Sequence, residues 1–152
     1  MDKMFPRALS GKILAKFDSS DLVFLLGTRR TGKTTLAHLL AKDSSYTTDE
    51  TWYCDFEDKQ YRQLFNTVTI ASLKQILQLE GIDFNRRHLL IFDEIQLLDD
   101  PANLLKLLHD QDKYIIEYSS IIILDWLAIR GLSFIKKKQQ LSRQCKALTF
   151  KF

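Results

Sequence analysis

The chain is poor in the residues that loosen or staple a backbone. It has 5 glycines and 2 prolines in 152 residues, too few for long flexible or low-complexity stretches. No internal repeat is visible. There are 2 cysteines, Cys54 and Cys145, far apart and matching no metal-ligand spacing. They read as reduced thiols of a cytoplasmic protein. Long apolar runs are lacking as well. The richest stretch, Tyr114 to Ile135, is interrupted by Glu117, Asp125 and Arg130, three charges that a lipid-spanning helix of that length rarely carries. The N-terminus, MDKMFPRALSGK, has no apolar core of the signal-peptide kind. The sequence therefore reads as soluble, with no membrane partner.

What is present is ordinary for one globular domain. Hydrophobic residues make up 45% and charged residues 27%, and a chain of this length buries about two-thirds of its unfolded surface. The net charge of +3 conceals an asymmetry. Lys136, Lys137, Lys138, Arg143, Lys146 and Lys151 lie in the terminal segment with no acidic residue among them, so the rest of the chain is slightly acidic. A basic end can attract nucleic acid, but such a face is more often simply solvated.

Strand and helix patterns alternate along the chain. Pro6 to Lys16 reads as a short amphipathic helix. Leu22-Val23-Phe24-Leu25-Leu26 is an unbroken apolar run, as in a strand buried on both faces. Thr34 to Lys42 reads as a helix, Trp52 to Phe56 as a second strand, and Glu57-Asp58-Lys59 as a charged turn. Ala71 to Leu79 is helical and closed by Gly81. Leu89 to Phe92 is a third buried strand. A helix over Asn103 to His109 has Pro101 just inside its start and Asp99 or Asp100 as cap. Tyr114 to Tyr118 is expected to be a fourth strand ending in Ser119-Ser120, Ile121 to Lys138 helical in part, and Ala147 to Phe152 a fifth strand. This order predicts a three-layer α/β fold around a mostly parallel sheet of about five strands.

Gly27-Thr28-Arg29-Arg30-Thr31-Gly32-Lys33-Thr34 satisfies the Walker A pattern G-x-x-x-x-G-K-(S/T) in full. Chance supplies it in a chain of this length on the order of once in a few hundred, and here it follows a buried strand and opens a helix. Gly27 and Gly32 let the backbone bend around a phosphate so that successive N–H groups point inward. The helix adds its positive end. Lys33 would reach the β- and γ-phosphates and the Thr34 hydroxyl a Mg²⁺ ion, with Thr35 a further nucleotide-binding residue. Arg29 and Arg30 could touch phosphates or a partner subunit, though such positions more often face solvent.

Asp93 and Glu94, directly after the third strand, complete the pattern as a Walker B element. An aspartate at the carboxyl end of a buried parallel strand can face the Mg²⁺, and an adjacent glutamate can deprotonate the attacking water. Gln96 could contact that water or a neighbour, or cap a helix. Asp55 and Glu57-Asp58 could lie near a nucleotide or form a solvated turn. His38, His88 and His109 form no ligand pair and read as structural.

The segments LLGTRRTGKTTLA, WYCDFED, LLIFDEIQLL and YIIEYSS together resemble a family of prokaryotic AAA-type P-loop ATPases, whose members read GPRxxGKTTL, then LDEIQ, then an apolar strand into TGSSS. The resemblance implies ATP and Mg²⁺ as ligands, Asp93 with Thr34 on the metal, Glu94 on the water, and Ser119 or Ser120 as a polar sensor at the tip of the fourth strand. Tyr118 and Glu117 depart from the family's glycine and threonine there. Arg143, in Leu141-Ser142-Arg143, falls where the family has L-(S/T)-G-R, out of register with its glycine. Members continue past the fifth strand into PLSF, a lid and a C-terminal domain, so residues 1–152 are expected to be one AAA-type core cut short.

Two other readings stand beside ATP hydrolysis: an inert nucleotide-binding remnant, and a nucleic-acid-binding module using the basic end. Self-association or a partner protein is left open by the sequence.

Overall fold

The computed structural model describes residues 7–17, 22–27, 30–110, 120–125 and 148–151. Its elements are α1 (Arg7–Leu14), β1 (Leu22–Leu26), α2 (Lys33–Asp43), β2 (Thr51–Asp55), α3 (Lys59–Asn66), α4 (Ile70–Leu79), β3 (Leu89–Asp93), α5 (Pro101–Asp110), β4 (Ser120–Asp125) and β5 (Leu148–Lys151). The five strands form one sheet in the order β2-β3-β4-β1-β5, and every pair is parallel.

Alternation along the strands sends side chains to two cores. Val23 and Leu25 of β1, with Leu89 and Ile91 of β3, pack against Ile13 and Phe17 and against Leu36, Ala37 and Leu40 of α2. Phe24, Leu26, Trp52, Cys54, Leu90 and Phe92 face the other way, onto Phe65 of α3, Leu73 and Leu77 of α4, and Leu104, Leu105 and Leu108 of α5. All of β3 is buried, which is why its sequence is a continuous apolar run rather than an alternating one. The result is the expected three layers, with α1 and α2 on one face and α3 to α5 on the other.

Phe92 sits at the centre of the second core. Its ring lies 5.6 Å from Trp52 and 6.2 Å from both Phe56 and Phe65, and it has no exposed surface. Phe92→Ala is expected to destabilise the fold by about 3–5 kcal/mol, a large share of a typical domain's stability. Denaturant unfolding followed by circular dichroism measures it, and a loss under about 1 kcal/mol would mean that this core does not hold the sheet.

Local chemistry sets the element ends. After α4, Gly81 has φ 88; its N–H bonds Gln78 O at 3.1 Å and that of Ile82 bonds Leu77 O at 2.9 Å, a Schellman closure with Leu77 and Ile82 in one core. At α5, Asp100 rather than Asp99 is the cap, since its Oδ1 accepts the Asn103 N–H at 3.1 Å. Asp99 instead accepts from the Asn66 amide at 2.9 Å.

Two assignments differ from the sequence reading. Lys59–Asn66 is a helix that the sequence reading left unassigned apart from Lys59, placed in the turn, and Asp58 caps it by accepting the Gln60 N–H at 2.7 Å. The fourth strand is Ser120–Asp125, where a partly helical segment was expected; Tyr114 to Ser119 lie outside the described residues. Ser120 therefore opens β4 level with Leu89, at the amino end of the sheet, and is not the tip residue that a sensor would be. The carboxyl end of β4, level with Leu26, is Asp125.

Candidate functional site

A parallel sheet presents all its strand ends on one side, where ligands of open α/β folds bind. Here that side carries the loop after Leu26, together with Asp55, Asp93, Asp125 and Lys151, the last residues of the other strands.

The loop leaves the sheet at Gly27 and reverses through two left-handed residues, Arg30 (φ 62) and Gly32 (φ 84). Gly32 takes that conformation without the steric cost a Cβ brings. It precedes α2, and its carbonyl accepts the Leu36 N–H at 2.9 Å. Arg30 is exposed, Thr31 half-buried and Thr35 exposed; Thr28 and Arg29 lie outside the described residues. Lys33 is the first residue of α2, yet its side chain is only 8% exposed. Its Nζ donates to Gly27 O at 3.0 Å, which folds the ammonium back across the loop. A buried cation, the positive end of an 11-residue helix and a backbone bent by αL residues are the features from which anion sites are built.

Across the gap lies Asp93, 4% exposed. Burying a carboxylate is costly unless donors surround it, and three do. Thr34 donates its hydroxyl to Oδ2 at 2.7 Å, Tyr53 donates its phenol to the same oxygen at 2.5 Å, and the Glu94 N–H donates to Oδ1 at 2.9 Å. Burial, with the charge of Asp93 beside it, pushes the Tyr53 phenol well above its ordinary value, so it keeps its proton and acts as donor.

Glu94 has φ 54, a left-handed conformation that costs a non-glycine residue of order 1–3 kcal/mol and is concentrated at functional sites. The turn re-aims its half-buried side chain away from the run of β3. Burial raises the Glu94 carboxyl above its usual value, helped by Asp93 and Glu57 and opposed by a hydrogen bond from Gln96. That bond runs from Gln96 Nε2 to Glu94 Oε2. Gln96 lies in the short 3-10 turn Ile95–Leu97 and thus contacts the glutamate instead of capping a helix.

Of the residues singled out from sequence, Gly27, Gly32, Lys33, Thr34, Asp93 and Glu94 converge on this end of the sheet. Ser119 and Arg143 lie outside the described residues. Asp55 and Asp58 serve local turns: Asp55 Oδ1 accepts the Glu57 N–H at 2.8 Å, and Asp58 caps α3. His38 stacks on Tyr53, ring centroids 4.8 Å apart, and His88 is buried, with its Nε2 accepting the Asp83 N–H at 3.1 Å. Cys54 is fully buried, and burial pushes its thiol up. Tyr53 was not among the sequence candidates. Its only mark in the sequence is a polar-tipped aromatic two residues before the acid that ends β2.

The sequence profile of the AAA domain matches residues 19–126, a span that includes the loop, Asp93 and Glu94. The chain belongs to the AAA domain family. No curated protein matches it. Among solved structures, PCH-2 of C. elegans is similar at 13% identity and a TM-score of 0.62, over 97% of this chain and 43% of its own. ORC1 of Aeropyrum pernix, solved in complex with DNA, is similar at 15% identity and a TM-score of 0.61, over 99% and 46%. ORC2 of the same organism, solved as ADPNP–ADP complexes, gives 19% identity and a TM-score of 0.51, over 99% and 50%. At these identities the likeness is one of fold. This AAA domain spans about half the length of those proteins. No helix among its described residues is long and apolar enough to cross a membrane.

Proposed function

We propose that this AAA domain binds a nucleoside triphosphate, ATP by its resemblance to the ATPase family, together with Mg²⁺, and hydrolyses it slowly. The observation that carries the reading is the meeting of Thr34 and Asp93 at 2.7 Å, 59 residues apart in the chain. Mg²⁺ takes oxygen ligands and is typically held by one or two protein groups plus phosphate oxygens; a hydroxyl and a carboxylate converging beside a phosphate loop fit that demand. Such an ion neutralises charge on the transferring phosphoryl group. The β- and γ-phosphates would lie along the loop, against Lys33 and the α2 N-terminus.

Glu94 would take a proton from water as the water oxygen bonds to the γ-phosphorus. The bond from that phosphorus to the β-bridging oxygen breaks, and the diphosphate leaves. The elevated Glu94 carboxyl suits a general base, since a more basic carboxylate accepts a proton more readily. Calorimetry with ATP and Mg²⁺ tests binding. Micromolar or tighter affinity that weakens when Mg²⁺ is chelated is expected; no heat of binding at any concentration would refute the reading.

Turnover is expected to be slow. In P-loop hydrolases an arginine on the γ-phosphate contributes about 10³ to 10⁵ in rate, and, among the described residues other than Arg7 and Lys151, Lys33 is the only lysine or arginine that is buried. Phosphate release from the purified chain should stay below about 1 s⁻¹, the lower edge of ordinary enzyme rates. A faster rate would show that the site is complete without added positive charge.

A further inference from the structure

Tyr53 is tied into the site from the edge of the sheet. In the β2–β3 ladder Tyr53 pairs with Ile91 and Asp55 with Asp93, so Tyr53 and Asp93 are diagonal neighbours on one face, the face covered by α2. With strands about 4.8 Å apart and a rise of about 3.3 Å per residue, such diagonal positions lie roughly 8 Å apart, a span that an aromatic side chain can cross. The phenol crosses it and donates to Asp93 Oδ2 at 2.5 Å. From above, α2 closes on the same pair: Thr34 donates to that oxygen at 2.7 Å, and His38, one turn further along, lays its ring over the Tyr53 ring at 4.8 Å and 34°. The tyrosine is thus held between helix and strand with its hydroxyl fixed on the carboxylate.

We propose that Tyr53 is a positioning residue for Asp93, holding the carboxylate in the orientation in which it and Thr34 would share the divalent cation. The proposal rests on the Mg²⁺–nucleotide reading above. Thr34 would serve the cation through its own oxygen, whereas Tyr53, bonded to the same Asp93 Oδ2, would serve only the carboxylate. Groups that orient a metal-binding side chain in this way typically matter by 10- to 100-fold in metal affinity. A tyrosine that merely stitched the edge strand β2 to the sheet would affect stability alone.

Tyr53→Phe separates the two roles, because it keeps the ring over His38 and deletes the hydroxyl. Mn²⁺ serves as the probe, titrated by electron paramagnetic resonance into protein loaded with ADP. The expected result is a Kd for Mn²⁺ raised about 10-fold, with ADP affinity in EDTA unchanged from the parent. Equal Mn²⁺ affinity in the two proteins overturns the proposal, as does a loss of ADP affinity in EDTA as large as the loss of Mn²⁺ affinity. A parent chain that binds ADP but no Mn²⁺ removes this proposal together with the Mg²⁺ reading, and so differs from a failure of Tyr53 alone.

Discussion

Lys33→Ala is expected to weaken binding of ATP with Mg²⁺ by about 2–5 kcal/mol, roughly 30-fold to several thousand-fold in Kd. The loop encloses this ammonium: 8% of Lys33 is exposed, and its Nζ is already oriented inward on the Gly27 carbonyl at 3.0 Å. A charge held in a shielded position interacts with phosphate far more strongly than one in open water. Alanine should leave the fold intact, since it is the best helix former at the start of α2 and the second half of the site does not depend on the lysine. The Asp93 carboxylate keeps its three donors. Calorimetry on the parent and the variant, each shown to be folded by circular dichroism, reads the difference. Equal affinities would mean that the buried lysine belongs to the loop's own architecture and not to a phosphate site.

Glu94→Gln should lower hydrolysis by about 10² to 10⁴ while leaving nucleotide and metal affinity within a few-fold. The amide has the shape of the carboxylate, and its carbonyl oxygen can still accept the bond from Gln96 Nε2. The backbone N–H of residue 94 still reaches Asp93 Oδ1, at 2.9 Å in the parent. What the amide cannot do is take a proton. Single-turnover hydrolysis of ATP, with binding measured in parallel, separates the two effects. A variant that hydrolyses at the parent rate would acquit Glu94 as the base and shift attention to the strand ends beside it.

Most of this site was legible in the sequence because its two halves are each continuous in the chain. A phosphate loop needs glycines, a lysine and a hydroxyl at fixed offsets, and a metal-facing acid needs a buried strand before it; both were read directly from residues 22–34 and 89–94. Tyr53 was not, since its partnership depends on strand register and on α2 lying over β2, neither of which spacing records. α3 was passed over because its sequence, KQYRQLFN, is largely polar and buries only Phe65. Asp58 as cap was its signal. β4 was placed too early: expected over Tyr114 to Tyr118, it begins six residues later and ends seven later, as Ser120–Asp125. Tyr114 to Tyr118 and Ile121 to Leu124 are both apolar, but only the second is free of charge, and a strand with neighbours on both sides favours such a run. The rule that identified β1 and β3, an unbroken apolar run, would have chosen it.

The position of β4 has a further consequence. It is hydrogen-bonded to β1 on one side and β3 on the other, so the strand that launches the phosphate loop and the strand that ends in Asp93 stand two spacings apart, about 9.5 Å. Thr34 nevertheless touches Asp93, which means that the loop and the first turn of α2 reach over β4 to do so. β4 is therefore a gauge block between the two halves of the site, a width that Thr34 at the start of α2 spans to reach Asp93. Prising β4 from either neighbour would draw hydroxyl and carboxylate apart while each half kept its own shape.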